Sequence, residues 1–216
     1  MVELTVFFTF FPPLIILLYI IFSDRFQEPT YLLILTFFLG YALNLPAGIL
    51  NEILIWSQDD PYDYVFLAGF TEETCKFLAL FYFIGKRKSF NEPMDGIVYG
   101  TLISLGFATL ENYDYVYNIY RSESLEVAVL RSYTAIPLHA CCGIIMGFYF
   151  GLYFLKKSKL LLIKSYVVPV TLHGVYNYTD SMLYTLIIIL VTSIFCLKLH
   201  SNIKSAQNIK IIEKEF

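Results

Sequence analysis

Few side chains in this sequence could do chemistry, and the densest group is Thr71-Glu72-Glu73-Thr74-Cys75-Lys76. Lys76 lies three residues after Glu73 and four after Glu72, so on a helix it reaches either carboxylate. One cation cannot neutralise both acids. The second is left to hold a proton or a water, the condition under which a carboxylate works as a general base. Further along come Glu111 and Asn112 in Phe107-Ala108-Thr109-Leu110-Glu111-Asn112, then His139 with Gly143 four residues on, and His173 with Asn177 four residues on. A spacing of four places the imidazole of His173 and the carboxamide of Asn177 on one helical face, able to hold a water or to donate hydrogen bonds to an oxyanion. Paired acids with nearby imidazoles are the equipment for hydrolysis by activated water.

The elements that must position these groups are membrane helices. The 216 residues are 57% apolar and only 15% charged, with mean hydropathy +0.63, far from the soluble average. The apolar residues fall in seven stretches, near Leu4 to Ser23, Tyr31 to Trp56, Tyr64 to Ile84, Gly96 to Val116, Arg131 to Leu155, Leu160 to Tyr178 and Met182 to Leu199. A helix needs about 20 residues to cross about 30 Å of hydrocarbon. The expected fold is therefore all-α, a polytopic bundle of about seven transmembrane helices in one domain over residues 1–201, with a short polar tail at 202–216. A net charge of −3 and the shortness of every loop exclude a soluble enzyme domain, a disulfide-stapled secreted fold and a nucleic-acid-binding module. The first span reads as a helix rather than a signal peptide, because Glu3 stands where a basic leader belongs and no small-residue cleavage site follows. Pro12, Pro13, Pro46, Pro137 and Pro169 lie inside spans, where the carbonyls they free need another partner. The four cysteines, Cys75, Cys141, Cys142 and Cys196, lack ligand-like spacing and read as small buried hydrophobes.

Basic residues set the expected orientation. Arg25, Lys86, Arg87, Lys88, Lys156, Lys157, Lys159, Lys198 and Lys204 fall in alternate loops, whereas Arg121 and Arg131 are alone on the other side. This puts the N-terminus outside and the C-terminal tail in the cytoplasm. Tyr113, Tyr115, Tyr117 and Tyr120 then form an outer interfacial belt, and Glu52 is interfacial too. Counting inward from outer ends near Tyr64, Val116, Arg131 and Tyr178, Glu72 and His139 lie about 12 Å deep, and Glu111 and His173 about 8 Å deep. The agreement in depth predicts one convergent polar site opening outward. Each residue also has a plainer reading: Glu111 as a solvated helix end, His139 as a satisfied core histidine, the Glu-Glu-Lys group as a structural ion pair. A charge at mid-bilayer costs about 2.5 to 3.5 kcal/mol on insertion scales, so several together favour function.

The same residues resemble the PrsW family of intramembrane proteases, distantly related to the CAAX prenyl protease group. Glu72-Glu73-Thr74-Cys75-Lys76 is similar to that family's EExxK signature, and Phe107 to Asn112 to its FxxxEN signature. His139, and His173 with Asn177, fall where its later histidine motifs belong, and Glu92-Pro93-Met94-Asp95-Gly96 with Tyr99 resembles its proline, aspartate and glycine segment. The likeness covers about half the chain. Lys stands where the prenyl protease group has Arg one residue later, and FxxxEN replaces FxxxH, which argues against prenylated cysteines as substrates. The resemblance implies a multi-pass protein of the bacterial plasma membrane that cleaves a membrane-anchored protein, such as an anti-sigma factor, on the outer side.

The expected mechanism is peptide hydrolysis by activated water, with Glu72 or Glu73 as general base and Glu72 the one implied by the related group's use of its first glutamate, His139 or Glu111 orienting the water, Glu73 and Lys76 as a supporting pair, and His173 with Asn177 stabilising the oxyanion. Phe107 and Asn112 support the site. This reading needs no cofactor. A zinc version uses Glu72, Glu111, His139 and His173 as ligands, although no HExxH is present. Other readings are a cysteine protease using Cys75 and His139, a transporter or proton relay, and a noncatalytic protein that binds membrane helices. The lipid bilayer is a partner in all of them, nucleic acid in none, and the oligomeric state is not written in the sequence.

Overall fold

A computed structural model describes residues 2–215, with side chains for residues 2–208. Among the described residues nine α-helices make up the bundle: α1 (Val2–Ser23), α2 (Thr30–Ala42), α3 (Asn44–Asn51), α4 (Leu67–Ala79), α5 (Pro93–Tyr113), α6 (Ser124–Tyr133), α7 (Ala135–Lys156), α8 (Lys159–Tyr178) and α9 (Met182–Glu215). No strand is present among the described residues. Helices α3, α4 and α5 each run on into a π-helical turn, at Glu52–Trp56, Leu80–Ile84 and Asp114–Ile119. Such turns widen a helix locally and recur at functional sites.

Among the described residues four helical stretches, Val2–Ser23, Thr30–Trp56, Arg121–Lys156 and Met182–Asn208, are long and apolar enough to cross a bilayer. The other expected spans exist as α4, α5 and α8. Glu72, Glu73 and Lys76 lie on the first of these, Glu111 on the second and His173 on the third, and such residues dilute their apolar character. A polytopic membrane bundle is thus the architecture, with four crossings rather than seven supported by length and composition.

The centre of the bundle is α5. Every residue from Met94 to Ala108 is buried, and a helix buried all round must be apolar all round, which its sequence is apart from Asp95 and small hydroxyls. Its start is set by Pro93 at the first helical position and by a reciprocal capping box between Glu92 and Asp95. Along one side it meets α7 at glycines. A Cβ on Gly147 would strike the carbonyl oxygen of Gly96, so the two backbones touch as only glycine permits. Gly69 of α4 meets the backbone of Gly174 of α8 in the same way, and this contact fixes the neighbouring Glu73 against His173. Helices α1, α2 and α9 turn large apolar side chains such as Phe22, Phe38 and Ile194 outward, as lipid-facing helices do.

Two expectations are refined. The chain beyond Asn202 begins as an unbroken continuation of α9, with Ile203 and Gln207 buried, because these side chains find partners at the end of the bundle. The cysteines are all free; Cys141, Cys142 and Cys196 are buried and Cys75 is half-buried.

The α5–α7 contact makes a stability prediction. Gly147→Leu forces the helices apart at a cost of about 1–3 kcal/mol or more, lowering the midpoint of thermal unfolding in detergent by several degrees. Gly48→Ala, whose Cβ would meet nothing within 4 Å, leaves the midpoint unchanged.

Candidate active site

The site is assembled around a lysine. Lys76 and Glu73 are fully buried, and Lys76 Nζ donates to Glu73 Oε1 at 2.8 Å. A buried ion pair forfeits so much hydration that it persists only with further hydrogen bonds, and both partners have them. Glu73 Oε1 also meets His173 Nδ1 at 2.9 Å. A carboxylate only accepts, so His173 carries a proton on Nδ1, and in the neutral ring its Nε2, 3.9 Å from Glu72 Oε2, presents a lone pair. Lys76 Nζ also lies 3.1 Å from His139 Nδ1. An ammonium only donates, so His139 accepts there and gives its Nε2 proton to Glu111 Oε2 at 3.0 Å. Phe107 lies beneath the ammonium, 4.1 Å from Nζ to the ring centroid, a cation–π contact that gives this residue its place in the motif. Glu72, Glu73, Lys76, Phe107, Glu111, His139 and His173, drawn from four helices, are therefore one connected cluster.

The two glutamates face differently. Glu72 lines a cavity of about 460 Å³ together with Glu111, His139, His173 and Asn177, whereas Glu73 and Lys76 stand behind its wall. Glu72 Oε1 accepts from Asn51 Nδ2 at 3.4 Å. Its Oε2 is buried with no hydrogen-bond partner among the described residues, and its nearest cationic atom is Lys76 Nζ at 3.7 Å. A buried carboxylate oxygen without a partner invites a water, a proton or a metal ion.

Glu72, His139 and His173 each bring a ligand atom within 4.8 Å of the other two. Two imidazoles and one carboxylate form a donor set that zinc uses in hydrolases. Each imidazole is backed by a carboxylate, Glu111 behind His139 and Glu73 behind His173, which is how a protein fixes tautomer and ring orientation at a metal. Glu72 Oε2 and His173 Nε2 are open; the His139 Nδ1 lone pair is shared with Lys76 and would exchange that proton donor for the ion. The residues thus fit a metal. Of the four expected ligands, Glu72, His139 and His173 lie in this group, while Glu111 Oε2 meets His139 and, at 2.6 Å, Arg131.

Several residues act here without an obvious sequence signal. Arg131 clamps both members of the Glu-Asn pair, bonding Glu111 and donating from Nε to Asn112 Oδ1 at 2.7 Å, and its guanidinium packs 4.0 Å over Tyr115. Tyr115 and Glu52, both expected at the outer interface, line the cavity. Asn51 ties α3 to Glu72 and is itself held by the Thr71 hydroxyl. A polar residue inside the apolar run of the second span is the signal that could have found Asn51. Asn177 lines the cavity, its amide directed at the carbonyl of Val65 at 3.5 Å. Cys75 is not among the cavity-lining residues, so the cysteine protease reading gains no support.

Asn112 faces away from the chemistry and does something else. Pro13 lies inside α1 and has no N–H for the carbonyl four residues earlier, that of Thr9. Asn112 Nδ2 fills the gap, donating to Thr9 O at 2.9 Å while its Oδ1 accepts from Arg131. One carboxamide thus ties α1 to α5 and α6.

Residues 28–199, which include every residue of the cluster, match the family model described as PrsW family intramembrane metalloprotease. The chain is similar to the curated "Protease PrsW" of Oceanobacillus iheyensis, 35% identical over 178 residues that cover 77% of this chain and 78% of the relative. Proteins of the same name from Geobacillus kaustophilus and Bacillus subtilis are 34% and 35% identical, each over 77% of this chain and over 75% and 78% of their own lengths. No solved structure matches.

The Asn112 bridge is testable by a double-mutant cycle. Asn112→Ala strands a buried carbonyl and costs about 1–3 kcal/mol of stability. Pro13→Ala restores an N–H at position 13, so the same truncation in that background costs measurably less. Equal losses in both backgrounds, read by thermal unfolding, would remove the bridge from the account.

Proposed function

From its place in the PrsW family of intramembrane metalloproteases, to which this chain belongs, we propose that it hydrolyses a peptide bond of a membrane-anchored protein at the cavity bounded by Glu72, His139 and His173. The observation that carries the proposal is that Glu72, whose Oε2 has no hydrogen-bond partner among the described residues, is a carboxylate residue lining the cavity. Where no metal is bound, Glu72 holds the attacking water, accepts its proton and returns it to the departing amine nitrogen, the two duties of one general acid–base group. Glu73 Oε2 is also buried without a hydrogen-bond partner among the described residues, but Glu73 does not line the cavity and its Oε1 is committed to Lys76 and His173.

Glu72, His139 and His173 are the residues that would hold a metal ion, which when bound supplies Lewis-acid polarisation of the carbonyl and a more acidic water. The remaining residues of the cluster act on these three. Glu111 fixes His139, Arg131 fixes Glu111, and the Glu73–Lys76 pair fixes His173. His173 was expected to donate to the oxyanion. With its Nδ1 proton turned to Glu73 it presents a lone pair instead, which suits a metal or the hydrogen of a water. Asn177 at the cavity wall is left as the side-chain donor for the oxyanion.

The substrate class is proposed from the same resemblance: a single-pass protein such as an anti-sigma factor, cut near the outer leaflet of a bacterial plasma membrane. The loop charges support that side, since the cavity lies at the end of the bundle away from Arg25, Lys86, Arg87 and Lys88. A transporter and a noncatalytic helix-binding protein have no support in the names of the curated relatives, all of which are proteases.

In a reconstituted assay with a membrane-anchored substrate, Glu72→Gln lowers cleavage by about 10²- to 10⁴-fold with little change in the unfolding midpoint, while Glu73→Gln lowers both. Full cleavage by Glu72→Gln with none by Glu73→Gln would reverse the assignment. A strong chelator is expected to stop cleavage and zinc to restore it; full activity in protein shown to be metal-free would leave Glu72 to activate the water alone.

A further inference from the structure

The surroundings of the cavity repeat one arrangement of charge and ring. Lys76 Nζ lies 4.1 Å from the ring centroid of Phe107 and is paired with Glu73. The Arg131 guanidinium lies 4.0 Å from the ring centroid of Tyr115 and is paired with Glu111. In both, one cation is shared by an aromatic face and a carboxylate. The two attractions add, since the ring presents its negative quadrupole and the acid a full charge.

A third ring and carboxylate line the cavity without a cation. Glu52 and Trp56 lie four residues apart in the π-helical turn that continues α3, and both line the cavity. Trp56 is 49% exposed, and among the described residues no Lys or Arg stands over its ring. The Glu52 carboxylate is exposed and in no ion pair among the described residues. Asp114, lining the cavity from the end of α5, accepts from Asn118 Nδ2 at 2.8 Å and likewise has no cation. Among the described residues Arg131 is the only lysine or arginine lining the cavity, and it is spent on Glu111 and Asn112. The connection from Trp56 to α4 adds Asp59, Asp60 and Asp63 and no basic residue. The rarity of basic residues at this end follows from topology, but Asp and Glu contribute little to orientation, so topology does not account for the acids.

This part of the wall is close to the reacting bond. Asn51, the residue before Glu52, donates to Glu72 Oε1 at 3.4 Å. Consecutive Cα atoms are about 3.8 Å apart and an extended peptide advances about 3.3–3.6 Å per residue. A substrate side chain that reaches Glu52 and Trp56 therefore belongs to a residue within about three positions of the bond at Glu72.

We propose that Glu52, Trp56 and Asp114 form a subsite for one Lys or Arg side chain of the protein substrate, beside the bond that is cut. The proposal rests on hydrolysis at Glu72 and names the substrate feature that the cavity selects. A cation supplies what the third ring and carboxylate lack, and tryptophan is the aromatic residue that attracts one most strongly. A neutral side chain gains only contact with the ring. An acidic one is repelled by both carboxylates.

Trp56 is the single tryptophan of the chain, so its fluorescence reads the subsite directly. Full-length protein carrying Glu72→Gln, in detergent, is titrated with short peptides identical but for a central Arg, Gln or Glu. The Arg peptide is expected to change the fluorescence at a concentration at least about tenfold below the Gln peptide, with the Glu peptide weakest and added salt narrowing the difference. Adding Glu52→Gln and Asp114→Asn removes the preference, and adding Glu52→Lys instead turns it toward the Glu peptide, with the unfolding midpoint as the check that each variant keeps its fold. No response to the Arg peptide, equal affinity for the Arg and Gln peptides, or a preference that survives the replacements would overturn the subsite. Cleavage is read separately in the wild type: hydrolysis indifferent to substrate charge removes the subsite and leaves the proposed activity, whereas charge-selective binding without hydrolysis does the reverse.

Discussion

A fully buried ammonium, that of Lys76, is the constraint on which the rest of the site depends. Placed in a bilayer helix without partners, it would be driven out or neutralised. Here it has Glu73 at 2.8 Å, His139 at 3.1 Å and the face of Phe107. Those partners come from α4, α7 and α5, so satisfying one charge joins three helices. The tautomers follow from it: a donor at Nδ1 of His139 sends that ring's proton to Glu111, and an acceptor at Nδ1 of His173 frees that ring's Nε2. The same ion pair, kept behind the cavity wall, leaves the neighbouring Glu72 as the carboxylate that meets what enters.

The fold supports this by bringing backbones unusually close. Glycine contacts between α5 and α7, and between α4 and α8, put the helices near enough for short side chains to meet. Proline supports it indirectly: Pro13 opens a carbonyl in α1 that Asn112 closes, and Asn112 in turn steadies Arg131, which steadies Glu111. A proline remote in sequence thereby contributes to the orientation of His139. Membership of a metalloprotease family is readily reconciled with such a site, because the carboxylates behind both imidazoles are the partners that orient ligands.

The convergence of Glu72, Glu111, His139 and His173 is legible in the sequence because charged and imidazole groups are conspicuous in apolar runs, and counted depths make their meeting a matter of geometry. Asn51 obeys the same rule, yet a neutral amide carries no charge to mark it. Arg131 reads as a loop charge that sets topology; its reach to Glu111 depends on the break between α6 and α7 at Thr134, which no local pattern announces. The partner of Asn112 lies 103 residues away and exists only because of a proline there. Helix boundaries in the apolar spans are legible to within a few residues, whereas the continuation of α9 past Leu199 is not, because polar residues such as Gln207 find buried partners that only the tertiary structure supplies.

The protein has three histidines, His139, His173 and His200, so nitrogen-15 magnetic resonance of histidine-labelled protein reads the central cluster directly. The account requires His173 to carry its proton on Nδ1 and His139 on Nε2, with the His173 signals shifting when Glu73 is replaced by Gln. A His173 protonated on Nε2 alone, or one indifferent to that replacement, would contradict it.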